Sequence, residues 1–149
     1  MTDKTFTTHS EYLPLHSVFI RPVRQAFTDA SKISNQWEAL NYLSAPDFGP
    51  AVREYGDFEA MLRKAVREVL PMPGGDGLSL DALYCRDASI ATDFEMVLCR
   101  MGKEARREEP GSHRQVFDAM EIPILGGIEA PGTLEGGDVA WLGTRTLAV

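Results

Sequence analysis

Two carboxylates and a pair of glycines stand together between Ile128 and Asp138, in Ile-Glu-Ala-Pro-Gly-Thr-Leu-Glu-Gly-Gly-Asp. Glu135 and Asp138 flank Gly136 and Gly137, directly ahead of the apolar run Val139-Ala140-Trp141-Leu142. Without a Cβ, paired glycines let the backbone turn sharply or let another group come very close. An acid on each side of such a turn is a rigid, two-pronged acceptor. Its natural partner is a planar cation carrying several N–H donors, because bidentate charge-assisted hydrogen bonds are short and strong. The same residues also suit a turn that opens a hairpin.

A second acidic stretch is Asp81-Ala82-Leu83-Tyr84-Cys85-Arg86-Asp87. Read as a strand, it puts Asp81, Cys85 and Asp87 on one face and Arg86 on the other. The two acids would then lie ~20 Å apart at ~3.3 Å per residue, too far to grip one small planar group. Either the chain bends between them or they hold different ends of a ligand. Cys85 beside Arg86 has the makings of a lowered thiol pKa. A thiol nucleophile also needs a base, and His9, His16 and His113 have no recognisable partner. Cys85 therefore reads as a small core residue, and His113 as a solvated first-turn residue.

The elements that must carry these residues follow from periodicity. Leu15 to Val23 reads as a first strand, and Ser31 to Leu43 carries Ile33, Trp37, Leu40 and Leu43 at helical spacing. Ser44 to Pro50 breaks that pattern. Val52, Tyr55, Phe58, Leu62, Ala65 and Val69 then step by threes and fours, handing over to a short strand near Val69-Leu70 before Pro71 and Pro73. Gly74 to Gly77 is a loop. Ala82 to Thr92 and Glu95 to Arg100 flank a turn at Asp93-Phe94 and predict a hairpin. Ser112 and Gln115 fit a capping box ahead of Val116, Phe117 and Met120. Ile122 to Leu125 is a short strand, and Asp138 to Val149 a second hairpin turning near Gly143-Thr144-Arg145. Asp87 to Leu98 and Asp138 to Val149 align without gaps at a period of about 50 residues, which fits a propeller-like array of repeated units.

Composition bounds the rest. The chain has 149 residues, 44% hydrophobic and 25% charged. That is enough for one domain with its own core. With 22 acidic residues against 15 Lys and Arg, the net charge is −7. Such a balance argues against a nucleic-acid partner, which needs clustered cations. The basic-rich run Lys103 to Glu109 is interleaved with acids and nearly neutral. Nothing approaches the ~20 apolar residues of a membrane span, and the polar amino terminus resembles no signal peptide. Cys85 and Cys99 make neither a disulfide framework nor a zinc set. A cytoplasmic protein without metal or cofactor is expected. The chain stops inside an apparent strand, Thr146-Leu147-Ala148-Val149, so it reads as a fragment whose bare apolar edge should self-associate.

Taken together, Leu80 to Asp87, Arg100-Met101-Gly102-Lys103-Glu104-Ala105-Arg106-Arg107 and Ile128 to Asp138 resemble the guanidine-modifying pentein superfamily of dimethylargininases, arginine deiminases and amidinotransferases. The resemblance runs from about Leu15 to the last residue, and the third block is its most specific part. It implies an α/β fold, a pentein-type propeller of ββαβ repeats, of which residues 1–149 would be about the first half of a single catalytic domain. It also implies a small guanidino substrate, arginine or methylarginine, with neither nucleic acid nor membrane as partner and a homodimer as the candidate assembly. In that chemistry a cysteine attacks the guanidinium carbon, a histidine protonates the departing amine, and water hydrolyses the covalent thiouronium to give citrulline.

By the same resemblance, Glu135 is similar to the acid that holds the guanidinium and orients the histidine. Asp87 resembles the carboxylate on the guanidinium nitrogens, and Asp81 the residue reaching the α-amino end. Arg106 resembles a clamp on the α-carboxylate, Gly136 and Gly137 form the turn, and Asp138 supports it. Arg86 departs from the pattern, standing where better-known dimethylargininases have a second acid and deiminases an Arg-Asp pair. The family's second arginine clamp, its histidine and its nucleophilic cysteine would all fall beyond Val149. The alternatives are an amidinotransferase, in which an amine intercepts the thiouronium, and a non-catalytic pentein that binds a macromolecule.

Overall fold

The computed structural model describes Glu11, residues 13–143 and residues 146–149, so His9, the amino-terminal Met1 to Thr5 and the Thr144-Arg145 turn lie outside the described residues. The chain divides into two compact units, one of Pro14–Cys85 and one of Arg86–Val149 together with Met1–Leu13.

In the Pro14–Cys85 unit, strand β1 (Ser17–Ile20) pairs in parallel with β2 (Glu68–Pro71), Val18 opposite Val69. A parallel pair needs a long crossover. Here that crossover is helical: α1 (Val23–Ala26), α2 (Ala30–Gln36) and α3 (Phe48–Ala65). Pro22 ends the first strand and opens α1, since its fixed φ suits a helix start. Asp29 and Asp47 cap α2 and α3, their side chains accepting from the backbone N–H of Lys32 and Gly49. Each such cap contributes about 1 kcal/mol. Val23, Ala26, Phe27, Ile33, Leu40 and Leu80 form the core, with Trp37, Tyr42, Val52 and Tyr55 packed against it. Of the apolar spacing read from Ile33 to Val69, Ile33, Trp37, Leu40, Val52 and Tyr55 face this core, whereas Leu43, Phe58 and Ala65 are exposed.

The second unit holds a three-stranded sheet, β3 (Ser89–Ala91), β4 (Met96–Leu98) and β5 (Ile124–Gly127), in the order β3-β4-β5. β3 and β4 are the predicted antiparallel hairpin, closed by Thr92 and Glu95. β5 pairs in parallel with β4 after helix α4 (Glu109–Ala119) has crossed over. β6 (Ala140–Gly143) and β7 (Thr146–Ala148) form a separate antiparallel pair. Ala88, Ile90, Cys99, Met101 and Val139 make the core, with Leu134, Trp141 and Leu147 against it.

Three expectations are corrected. Residues 82–88 are not strand, because 3-10 turns span Leu80–Leu83 and Cys85–Ala88. Neither the shared face nor the extended spacing of Asp81 and Asp87 therefore applies. The backbone there is held by side chains instead of a ladder, since buried backbone groups must find partners somewhere. Arg21 Nη1 donates to the Ala82 carbonyl at 2.8 Å, and Leu80 N–H donates to Gln36 Oε1 at 3.1 Å. Second, Ser112 lies inside the helix and not at its cap. α4 starts at Glu109, with Pro110 next in its first turn, and the Ser112 hydroxyl donates back to the Glu109 carbonyl. Third, starting the helix earlier rotates His113 inward. It is 1% exposed, with Nδ1 3.0 Å from Ser89 Oγ and its ring edge-on to Phe117.

The repeat survives in form. Asp87 and Asp138 each lie in a 3-10 turn that leads into an antiparallel hairpin. The β6–β7 pair departs from equivalence by a register shift between Trp141 and Gly143.

Candidate guanidinium-binding site

The residues that deliver the site are core residues one position away. Ala88 is fully buried beside Asp87, and half-buried Leu134 precedes Glu135. Arg100 and Leu134 exchange both backbone hydrogen bonds (3.2 and 3.0 Å), and Arg100 Nη1 donates to the Gly132 carbonyl (3.0 Å). That bridge sets Glu135 against the loop after Met101, where Gly102 N–H donates to Glu135 Oε1 (3.1 Å).

Gly136 and Gly137 begin a 3-10 turn, Gly136–Asp138, in which Asp138 N–H donates to the Glu135 carbonyl (3.0 Å). Close approach is what demands glycine here. A Cβ on Gly136 would sit 2.1 Å from the Arg86 carbonyl oxygen and 2.9 Å from that of Ser89. On Gly137 it would sit 2.5 Å from Asp87 Oδ1. The two glycines thus seat the Asp87 turn against the Glu135 turn. Asp138 itself is exposed.

At the meeting point lies a guanidinium, that of Arg106. It ends a 3-10 turn, Glu104–Arg106, and its side chain is 7% exposed. Nη1 donates to Asp87 Oδ2 at 2.8 Å and makes a longer 3.5 Å contact with Glu135 Oε2. Nε and Nη2 each donate at 2.8 Å to the two oxygens of Glu109. Burial alone would lower the Arg106 pKa. The hydrogen bonds and charges of Glu109 and Asp87 outweigh it and hold the group firmly cationic. Asp87, Arg106 and Glu135 thus meet at one point, with the Arg106 guanidinium itself between the two acids. Glu109 is the member that the residue pattern had not singled out. Its signal was present, since Glu109, His113 and Phe117 recur at helical spacing once the helix starts at Glu109.

Arg86 takes no part. Its Nη2 donates to the Val139 carbonyl (3.1 Å) and to Glu11 (3.2 Å). Asp81 belongs to the other unit, where it is 5% exposed in its 3-10 turn. Burial pushes the Tyr42 phenol well above its ordinary pKa there, and the Asp81 carboxylate adds to the shift. Cys85 is half-buried, its Sγ 4.0 Å from the Ala82 carbonyl. Cys99 is buried, and its thiol is pushed up to about 11, chiefly by desolvation. The Cys99 thiol is thus held protonated. Among the described residues no group of three or more His, Cys, Asp or Glu side chains is placed to hold a metal ion. None of the described helices is long and apolar enough to cross a membrane.

Among the described residues the chain is mixed α/β, with several small sheets and no closed barrel, and its fold is of the pentein type. The chain is 24% identical over 103 residues to the N(G),N(G)-dimethylarginine dimethylaminohydrolase of Pseudomonas aeruginosa, a match covering 69% of this chain and 40% of that protein. A variant of that organism's enzyme in complex with citrulline superposes with a TM-score of 0.69 at 21% identity, covering 88% of this chain and 48% of the other. An AgrE variant in complex with L-arginine superposes at 0.64 with 16% identity, over 85% of this chain and 18% of the other. The chain thus spans less than half the length of these relatives. No protein-family model matches it.

Proposed function

We propose that the chain is the amino-terminal, substrate-gripping part of a guanidine-modifying hydrolase that acts on arginine or N-methylated arginine. The products would be citrulline and ammonia or an alkylamine. The observation that carries this reading is the convergence of Asp87 and Glu135 on one guanidinium nitrogen, Arg106 Nη1. An acidic pair that accepts one planar cation has the right shape for another, and each carboxylate has about four lone-pair sites. Fixing the N–H edges localises the guanidinium charge, which a thiolate needs before it can add to the central carbon.

In this reading Asp87 and Glu135 hold the substrate's guanidinium nitrogens, and Glu135 also orients the catalytic histidine. Asp81 takes the α-amino group, Arg106 meets the α-carboxylate, and Gly136, Gly137 and Asp138 form the supporting turn. In this reading neither Cys85 nor Cys99 is the nucleophile, and His113 is not the general acid. Cys85 lies against a carbonyl, and His113 is locked between Ser89 and Phe117. The chain alone is therefore expected to bind but not to turn over. Thermal-shift titration with L-arginine and citrulline, alongside a citrulline-release assay on L-arginine and dimethylarginine, tests this. Stabilisation without turnover is the expected result. Turnover that vanishes in Cys85→Ser would overturn the division of labour, and no stabilisation by either ligand would overturn the binding site.

A further inference from the structure

Glu109 is an acid in an apolar position. It shares the inward stripe of α4 with Pro110, His113 and Phe117, and it is 0% exposed. A carboxylate withdrawn from water to that degree must be compensated by a well-placed cation. Arg106 compensates it through the most directional pairing available, two parallel N–H···O bonds to separate carboxylate oxygens. Each of them measures 2.8 Å. Because Nε and Nη2 are both taken on that edge, the guanidinium plane cannot rotate about its own axis. Nη1 is thereby left facing Asp87 and Glu135, at 2.8 and 3.5 Å. The three-residue spacing across the 3-10 turn and the first turn of α4 makes this fork local. A helix start also favours a negative charge, which helps Glu109 to stay ionised in place.

We infer that Glu109 is a positioning residue: its buried carboxylate locks the Arg106 guanidinium and so determines how that arginine meets both the Asp87–Glu135 pair and an incoming carboxylate. The functional half of this inference rests on the proposed substrate class. The lock also narrows what Arg106 can offer. Its Nε–Nη2 edge, the usual bidentate edge for a carboxylate, belongs to Glu109. A substrate carboxylate therefore meets a guanidinium whose orientation Glu109 has already set. Ligands carrying both a guanidinium and a carboxylate should feel a change at Glu109 more strongly than a ligand with only the guanidinium.

Two measurements on the whole chain decide this. The first needs no ligand: proton exchange of the Arg106 side-chain N–H groups, followed by nitrogen-15 NMR. In Glu109→Gln the Nη1 hydrogens should exchange about tenfold faster, although Asp87 and Glu135 are untouched, because a neutral amide gives about half the bond strength. In Glu104→Gln, which alters an exposed ion pair with Arg107, they should not change. If Glu109→Gln does not fold, Glu109→Asp keeps the charge but shortens the reach and should give an intermediate acceleration. Nη1 protection equal to that of the unaltered chain in whichever variant folds overturns the inference.

The second measurement is calorimetric binding of L-arginine against agmatine, which is arginine without its α-carboxylate. Glu109→Gln should weaken L-arginine about tenfold and agmatine less than about twofold. Equal weakening of both would show a merely structural role and overturn the specificity part. If the unaltered chain binds neither ligand, the proposed function and the substrate part of the inference fall together, while the exchange experiment still decides the lock on its own.

Discussion

Among the described residues Arg21 and Arg106 are the buried arginines, one in each unit, and they hold different kinds of group. Arg21, 0% exposed, donates to the backbone carbonyls of Pro73 (3.0 Å) and Ala82 (2.8 Å), so it pins two loop segments of its own unit. Arg106 donates to the carboxylates of Asp87, Glu109 and Glu135. A carbonyl partner leaves the cation's charge in place and organises backbone. Carboxylate partners organise side chains, and leave a concentrated group of ionised acids around one nitrogen plane. The first arrangement is a staple. The second has the composition of a site.

The largest expected effect comes from the charge that the Arg106 fork would leave behind. Arg106→Met strands buried Glu109 without its cation and should cost about 3–5 kcal/mol. Denaturant unfolding measures the loss. Adding Glu109→Leu to Arg106→Met should recover a large part of the loss, since a buried pair can be replaced by packed apolar residues. If the double variant is no more stable than Arg106→Met, the fork is not what was lost. Arg106→Lys should rescue little, because an ammonium cannot span both carboxylate oxygens in one plane.

Next in size is the seating of the two acidic turns. Gly136→Ala drives a methyl group into two backbone carbonyls. It should cost about 3 kcal/mol, because overpacking against backbone has nowhere to relax. Gly137→Ala meets only the Asp87 side chain. It should cost nearer about 1 kcal/mol and act mainly by turning Asp87 away from Arg106. Equal losses in thermal melts would mean that the glycines serve chain flexibility and not close approach.

The smallest effect comes from the core beside the site. Cys99 has a folded-state thiol pKa raised to about 11 from 9.0. Between those values the unfolded chain gives up a proton that the folded chain keeps. Stability should therefore be unaffected below about pH 9 and fall by about 2 kcal/mol as pH rises towards about 11. Cys99→Ala should remove that part of the decline. Persistence of the full decline in this variant would assign it to other groups.

How far the site could be read beforehand is clear from individual residues. Glu135-Gly136-Gly137-Asp138 announced a rigid acidic turn, because glycine's missing Cβ is a local property. The β3–β4 hairpin and α3 followed from their periods, whereas α1 begins at Val23, which the pattern assigns to the first strand, and α2 stops at Gln36, short of the expected Leu43. The 3-10 turn at Leu80–Leu83 did not follow, because Arg21 and Gln36, far along the chain, bind backbone groups that a strand would have paired. Ser112 misled for a related reason. A hydroxyl three residues ahead of a glutamine fits a cap, but Pro110 had already started the helix.

The sequence by itself determined which chemistries were available: acids beside glycines, an arginine three residues from a glutamate, two cysteines without a partnered base, and a negative surface. Those are matters of residue type and short spacing. Only the tertiary structure decided that Asp87, Arg106 and Glu135 share one nitrogen and that Glu109 fixes the plane of that guanidinium. The reason is physical. Each acid is ionisable and soluble by itself, and what commits it to a partner is the loss of water as separate loops close over a common core.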